Sequence, residues 1–493
     1  MAIHVESFFL DRDEDATLQH RIKRHVVEGI LNGRFRPGER MPSSRALARH
    51  LGISRITVTI AYTDLVADDY LVARGRSGYF VSDTAPTAPR FEITEPQGDS
   101  EIDWSRFLGH RTLEADQFER PGDWQTYPYP FIYGQTDRKL FDHQNWRLCA
   151  LQALGQKDFD SLTMDQYERD DPKLVEYILR TILTRRGISA RPENVLITMG
   201  AQNALWICAQ LLLTQRRTAV VESPGYPGFR NILDQTRCRT VSLPVDADGL
   251  PPHLLPDDTD VVFTTVSHQC PTNATMPMAR RQELLARATD QGFIIVEDDY
   301  EFELAFQRSP SPSLKSLDEA GCVVYVGSFS KSLFPGLRLG YIVAPTAFIA
   351  EARSLRATVL RHPPGLIQRT AAYFLSLGHY DAQINRMRRA YQRRRLVMET
   401  AIAEHGLTRA DTSSDGGSCM WMRAPDGVDT TNLARRLHLK GVVIEPGHSF
   451  FDPETAPVEY YRLAYSSIPS ARIAAGIQLI AKEIAESGPI RAT

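Results

Sequence analysis

Cys322–Tyr341, CVVYVGSFSKSLFPGLRLGY, begins as a short apolar run and turns polar beyond Gly327. It reads as a buried strand with Ser328, Ser330 and Lys331 just past its end and Arg338 seven residues beyond the lysine. A lysine in a partly buried pocket can lose its proton and form a Schiff base with an aldehyde, while nearby serines and an arginine hold a phosphate. Six more β-rich runs surround it: NVLIT, TAVVE, TVSLP, DVVFTT, FIIVED and GYIVA. Buried strands separated by helical stretches imply a mostly parallel, doubly wound sheet, and such sheets place ligands at the carboxyl ends of their strands.

Three of those other ends also carry chemistry. FIIVEDDYEF closes a strand with Asp298 and Tyr300; a buried carboxylate there can keep a pyridine nitrogen protonated, and a phenol can bond a ring hydroxyl. ITMGAQNALW sets Gly200, Ala201 and Gln202 between a strand and a helix, where backbone N–H groups cradle phosphate. VESPGYPGF puts Tyr226 after a third strand, in place to stack on a flat cofactor. After about Gly365 the sequence becomes charged and helical (YDAQINRMRRAYQRRRLVMETAIAEHG) and leads into a smaller α+β region. Arginines surround that helix instead of forming a stripe, so a solvated face is expected in preference to a second nucleic-acid patch.

The front of the chain differs in charge. From Thr17 to Ser82 eleven Lys+Arg face five Asp+Glu, a local net of +6 in a chain whose total is −3. Leu18, Ile22, Val26 and Ile30 recur every fourth residue, an amphipathic helix stopped at Asn32-Gly33. PSSRALARHLG reads as a short helix capped by serine and ended by Gly52, and Ser54 caps a third helix with Val58, Ala61, Tyr62 and Leu65 on one stripe. YLVAR–GRSG–YFVS then reads as a hairpin. Two short helices joined at a glycine, followed by a hairpin, make a winged helix-turn-helix of α+β class. A helix N-terminus suits phosphate, and arginine grips guanine edges or phosphates.

From Asp83 to about Pro130 prolines are frequent and no period persists, as in a linker and lead-in; its tail, FIYGQTDRKLFDHQNW, is aromatic-rich and expected to dock on the body. The domain expectation is therefore 14–82 for the winged helix, 83–130 for the linker and 131–493 for the body, with its small subdomain from about 365. At 493 residues, 42% hydrophobic and 24% charged, the chain is too long for one core and too apolar for wholesale disorder. A mean hydropathy of −0.29 and no apolar run of spanning length give no membrane segment. MAIHVESFFLDRDED does not read as a signal peptide. Six cysteines without a CxxC pair point to a reducing cytoplasm and to no metal site.

RFRPGERMPSSRALARHLGISRITVTIAYTDLVADDYLVARGRSGYFV resembles the DNA-binding domain of the GntR family over nearly its whole length. That resemblance implies a double-stranded DNA operator contacted by Arg45, Ser54, Arg55, Thr57 and Thr59, with Arg76 in the wing-tip turn Gly75–Gly78. The strand-end residues, taken together and in order, resemble the fold-type I aminotransferases, which use pyridoxal 5′-phosphate (PLP). With the winged helix in front, the architecture is similar to that of MocR/GabR-type regulators. The resemblance implies that Lys331 forms the internal aldimine, Asp298 pairs with the pyridine nitrogen, Tyr300 meets the ring oxygen and Tyr226 stacks on the ring. Gly200, Ala201, Gln202, Ser328 and Arg338 fall on the phosphate cup, and Arg462, in EYYRLAYS, matches the arginine that binds an incoming carboxylate.

Two positions depart from the aminotransferase pattern. SHQCPTNATMP carries Cys270 where those enzymes have the Asn of Asn-Pro-Thr-Gly, and Asn273 at the Gly position; the missing Asn fits a regulator better than a catalyst. YERDDPKLVEY lacks the glycine usual at Asp170 or Asp171, for which the sequence offers no functional account. The expected function is a PLP-dependent transcription regulator, homodimeric and cytoplasmic, in which a small amino-compound inducer forms an external aldimine and changes operator binding. Ligands of such regulators include GABA-like ω-amino acids, taurine-like sulfonates, diamine derivatives and PLP itself. The competing expectation is a working aminotransferase with a DNA-binding appendage.

Overall fold

In the computed structural model, which describes residues 2–9, 16–86, 102–108, 121–166, 168–305, 311–410 and 417–487, the chain divides into two compact units, Met1–Arg111 and Thr112–Thr493. Residues 87–101 and 109–120 of the expected linker lie outside the described residues.

The first unit holds three helices, α1 (Leu18–Leu31), α2 (Ser44–Leu51) and α3 (Arg55–Ala67), and the hairpin β1 (Leu71–Ala73) and β2 (Tyr79–Val81). The second and third helices start on the expected serines and the first on a threonine: Thr17, Ser43 and Ser54 accept from the backbone N–H of His20, Ala46 and Ile56. Ile22, Val26 and Ile30 of α1 pack on Val58, Ala61, Tyr62 and Leu65 of α3, and each Val, Ile or Leu side chain taken out of water contributes roughly 1.5–3 kcal/mol. Leu18, at the end of the stripe, is exposed. The unit also takes in residues ahead of position 14: Phe8 is buried against Phe35, and the Ile3 N–H donates to the Arg40 carbonyl.

The second unit begins with β3 (Tyr129–Pro130), after which Phe131 and Ile132 are fully buried, so the aromatic tail of the linker does dock on the body. All seven apolar runs are strands of one sheet: β4 (Val195–Thr198), β5 (Thr218–Ser223), β6 (Arg239–Pro244), β7 (Val261–Thr264), β8 (Ile294–Asp299), β9 (Val323–Ser328) and β10 (Gly340–Val343). Their order is β4-β10-β9-β8-β7-β5-β6, with β10 antiparallel to β4 and β9 and every other pairing parallel. Hydrophobic clusters cover both faces, which is why the strands read as continuous apolar runs. The smaller region is a four-stranded antiparallel sheet of β11 (Thr408–Arg409), β12 (Cys419–Arg423), β15 (Tyr460–Ala464) and β14 (Glu445–Pro446), while β13 (Val442–Val443) pairs with β3. No helix among the described residues is long and apolar enough to cross a membrane.

Two expectations are revised by packing. The basic helix His379–Glu404 is not wholly solvated, because Arg394 and Arg395 are buried; Arg394 donates to the carbonyls of Tyr465 and Ser466 and pairs with Asp137. The Arg394 guanidinium satisfies carbonyls beyond β15 and stitches the helix to the small sheet, while Arg395 donates to Glu399 one turn on. The pair Asp170-Asp171 receives a structural explanation. Asp170 lies between Arg353 (2.9 Å) and Arg356 (2.6 Å) and accepts from the Ile197 N–H, while Asp171 caps the helix Pro172–Tyr177 and meets Arg369 at 2.6 Å. Both carboxylates are buried and ligated by arginine, so each is a tie between body helices rather than a binding group.

Candidate functional site

The carboxyl ends of the parallel strands converge on one edge of the sheet. Within β8 three consecutive acids divide by the two-residue strand period. Glu297 accepts from the backbone of Leu314 and Lys315, and Asp299 meets Arg186 at 2.7 Å and accepts from the Tyr325 hydroxyl. Asp298 points to the other side, where its Oδ1 is buried with no hydrogen-bond partner among the described residues. Burial pushes its carboxyl up to about 7, with Asp299 adding to the rise and Lys331 opposing it. A buried acceptor of this kind is suited to a cationic hydrogen-bond donor.

Lys331 follows β9, and its ammonium sits 4.1 Å from the centre of the Tyr133 ring. Gly134 closes over it: a Cβ at that position would lie 2.6 Å from the Lys331 Nζ, and its φ of +80° belongs to the left-handed region. The sequence reading missed Tyr133 and Gly134; their only signal was an aromatic–glycine pair in a segment expected to dock.

Tyr226, at the start of the helix Pro227–Thr236, donates to Gln202 Oε1 at 2.8 Å, and burial followed by the nearby Asp298 pushes its phenol up. Tyr300 donates to the His268 carbonyl at 2.8 Å. Gly200 starts the helix Ala201–Leu212 with φ +82°, and a Cβ there would meet the Arg338 guanidinium at 3.3 Å. Arg338 itself donates to the Met199 carbonyl, and Ser328 Oγ accepts from the Ser330 N–H. The helix start Gly200–Gln202 and Arg338 are thus brought together, with Tyr226 linked to them through Gln202. The N–H groups of a helix's first turn lack intrahelical partners, and beside a guanidinium they suit an anion.

Opposite lies Arg462 on β15, nearly fully buried and held between the rings of Tyr133 (3.9 Å) and Phe450 (4.6 Å). It is not a free fork: Nε and Nη2 each lie 2.7 Å from Glu445 Oε2, and Nη1 approaches the Cys270 Sγ at 3.8 Å. Burial works against its charge, but Glu445 outweighs it and the pKa stays well above the usual value. The pairing of β14 with β15 sets Glu445 directly across from Arg462. Cys270 is buried, and burial pushes its thiol up to about 12, so it is a neutral neighbour of the guanidinium. The loop carrying it is anchored by Glu222, which accepts from the hydroxyls of Thr264 and Thr265 (both 2.7 Å) and from the Gln269 amide. Asn273, with φ +59°, donates to the Cys419 carbonyl and so ties that loop to β12. Glu301 is a further buried carboxylate here; Ser418 donates to its Oε1 at 2.5 Å, and Oε2 has no partner among the described residues.

In the first unit, Arg45 on α2 and Arg55 at the start of α3 are both exposed, and Arg55 Nε reaches Ser44 Oγ at 3.4 Å, so the two arginine-bearing segments adjoin. Arg76 is exposed in the turn Gly75–Ser77 between β1 and β2. Ser54 Oγ is engaged in capping, and the Thr59 hydroxyl donates to the Arg55 carbonyl at 3.0 Å, so neither side chain is idle. Thr57 is partly buried beside them.

Residues 18–81 match the family described as bacterial regulatory proteins, gntR family, and residues 144–475 match aminotransferase class I and II. The chain is similar to the HTH-type transcriptional regulator TauR of Rhodobacter capsulatus, with 59% identity over 98% of this chain and 100% of that one. It is also similar to the probable rhizopine catabolism regulatory protein MocR of Rhizobium meliloti, at 30% identity over 95% and 94% of the two chains. Among solved structures, the kynurenine aminotransferase of Pyrococcus horikoshii in complex with PMP superposes with a TM-score of 0.70 at 26% identity, covering 79% of this chain and 99% of that one. The α-aminoadipate aminotransferase LysN of Thermus thermophilus, complexed with N-(5′-phosphopyridoxyl)-L-leucine, gives the same TM-score and identity over 78% of this chain and 99% of that one.

Proposed function

This chain belongs to the MocR-type transcriptional regulators, in which a gntR-family helix-turn-helix is joined to an aminotransferase class I and II domain, and on that footing we propose that it senses a small amino compound through PLP held at Lys331. The observation that carries the proposal is Asp298, a buried carboxylate with an unpartnered oxygen at a strand end within electrostatic reach of Lys331. The residues fit the cofactor: Asp298 for the pyridine nitrogen, Tyr300 for the ring oxygen, Tyr226 for the ring face, and Gly200, Ala201, Gln202, Ser328 and Arg338 for the phosphate. PLP supplies an aldehyde that primary amines attack covalently and reversibly.

The chain's own residues do the selecting. With PLP bound, Lys331 would hold the aldehyde carbon, and an incoming primary amine would compete with it for that carbon. Arg462 presents its remaining N–H groups to an acidic group at the other end of the ligand, while Glu445 holds the guanidinium in register. Tyr133 and Phe450, on either side of that guanidinium, exclude water and strengthen the contact. A ligand that binds one conformation better than another shifts the population between operator-binding states, and equal affinity for both would shift nothing.

The winged helix is the DNA-binding element, with Arg45, Ser54, Arg55, Thr57, Thr59 and Arg76 at the operator. The active species is a homodimer reading two half-sites; the exposed Leu148, Leu151 and Leu154, three residues apart along and just past the helix His143–Ala153, support an apolar contact between copies. All six cysteines are free, which supports a cytoplasmic setting. The boundaries 14–82, 83–130 and 131–493 serve as the working division of the chain.

Arg462→Ala is expected to weaken binding of a carboxylate-bearing amino compound at least tenfold while PLP affinity changes little, as read by absorbance titration. Unchanged ligand affinity would place the acidic group elsewhere. The rival reading, a working aminotransferase, draws on the intact set of Lys331, Asp298, Tyr300 and Arg462; sustained turnover with a keto acid acceptor would favour it.

A further inference from the structure

The outward face of α3 carries an apolar stripe that the arginines do not account for. Inward, Val58, Ala61, Tyr62 and Leu65 are completely buried. Outward, Ile56 is 70% exposed and Ile60, one turn later on the same side, is 43% exposed. Between and beyond them stand Thr59 and Thr63, whose hydroxyls donate back to the carbonyls of Arg55 (3.0 Å) and Thr59 (2.9 Å). With those donors turned into the helix, the outward surface from 56 to 63 offers methyl groups, and no charged residue interrupts it.

We propose that Ile56, continued by Ile60, reads the 5-methyl groups of thymines in the major groove of the operator. Single exposed apolar residues are ordinary on protein surfaces. These two share one helix face, begin at the second residue of α3 and adjoin exposed Arg55, with Arg45 and Arg49 exposed on the neighbouring helix. That charge suits a polyanion as the occupant and disfavours an apolar protein surface. The N-terminal residues of a recognition helix are those that reach base edges, and thymine alone among the four bases presents a methyl group in the major groove. The inference rests on the operator-binding reading of α3 and adds which base that helix selects beside the position gripped by Arg55.

The test uses the full chain and a duplex that it selects from a randomised double-stranded library. Each thymine of that duplex is replaced singly by uracil, which removes the 5-methyl and leaves pairing intact, and binding is followed by fluorescence anisotropy at fixed salt. One or two thymines per half-site should lose about fourfold in affinity on replacement, the factor that corresponds to one buried methyl group. In Ile56→Ala, which replaces an exposed residue by a better helix former, the same replacements should have no effect at the thymine under Ile56. Wild-type indifference to every uracil, or full sensitivity retained in Ile56→Ala, overturns the proposal. If no duplex is selected at all, the operator-binding reading falls and takes this proposal with it. Selection that succeeds and is lost in Arg55→Ala, with no uracil effect, overturns the methyl reading alone.

Discussion

Lys331→Ala is expected to abolish both the visible absorption of the PLP-loaded protein and the covalent adduct that borohydride fixes to the wild-type chain. Three features single out this lysine. It follows β9 directly at the edge where the strand ends converge, its ammonium stands 4.1 Å from the Tyr133 ring centre, and it lies close enough to Asp298 to oppose the rise in that carboxyl's pKa. Two other lysines of the body, away from this edge of the sheet, are held by structural contacts. Lys315 is committed to Asp318 at 2.9 Å and to the Val323 carbonyl, and Lys173 to the Tyr373 hydroxyl. The loss should therefore be complete, as read by mass spectrometry after reduction, while operator binding by the free protein persists. An adduct that survives in Lys331→Ala would move the cofactor to another lysine.

Arg55→Ala should have the complementary effect: operator binding is strongly weakened at physiological salt, and the cofactor spectrum is unaltered. A bidentate arginine contact to a base is worth about 1–3 kcal/mol, and a dimer on two half-sites loses it twice. The expected loss is therefore about 30-fold or more. Because Arg55 is exposed and its Nε donates to the Ser44 hydroxyl at 3.4 Å, outside the core, its removal leaves the core formed by Val58, Ala61, Tyr62 and Leu65 in place. If affinity is unchanged in anisotropy measurements, α3 is not the operator-reading helix.

What the sequence made legible was whatever burial and strand ends dictate. The inner strands of the sheet were visible because both faces are covered, leaving apolar runs rich in Val and Ile, and Lys331, Asp298, Tyr226 and Gly200 were visible because each stands where such a run stops. Asp298 was distinguishable from Glu297 and Asp299 only by analogy; the structure separates them physically, since Glu297 is taken up by the backbone of Leu314 and Lys315 and Asp299 turns its Oδ2 to Arg186 and Tyr325. Contacts between segments remote in sequence were not legible. Tyr133 and Gly134 reach Lys331 from a stretch that precedes the whole sheet, and nothing local announces the approach. Glu445 meets Arg462 because β14 and β15 pair in one register, a fact of the small sheet and not of either segment. The buried Arg394 was hidden for a similar reason: a helix basic on all sides gives no sign of which guanidinium will find carbonyls to satisfy.

The measurement that bears most directly on the central claim is a paired titration of the full chain with a panel of small amino acids and diamines, following the visible absorption band and operator affinity in the same samples. Coupling between PLP and DNA predicts that one compound perturbs the band and changes operator affinity over the same concentration range, with no keto acid product appearing. If the band bleaches with product accumulating while operator affinity stays constant, the body is a working aminotransferase and the sensing account is contradicted.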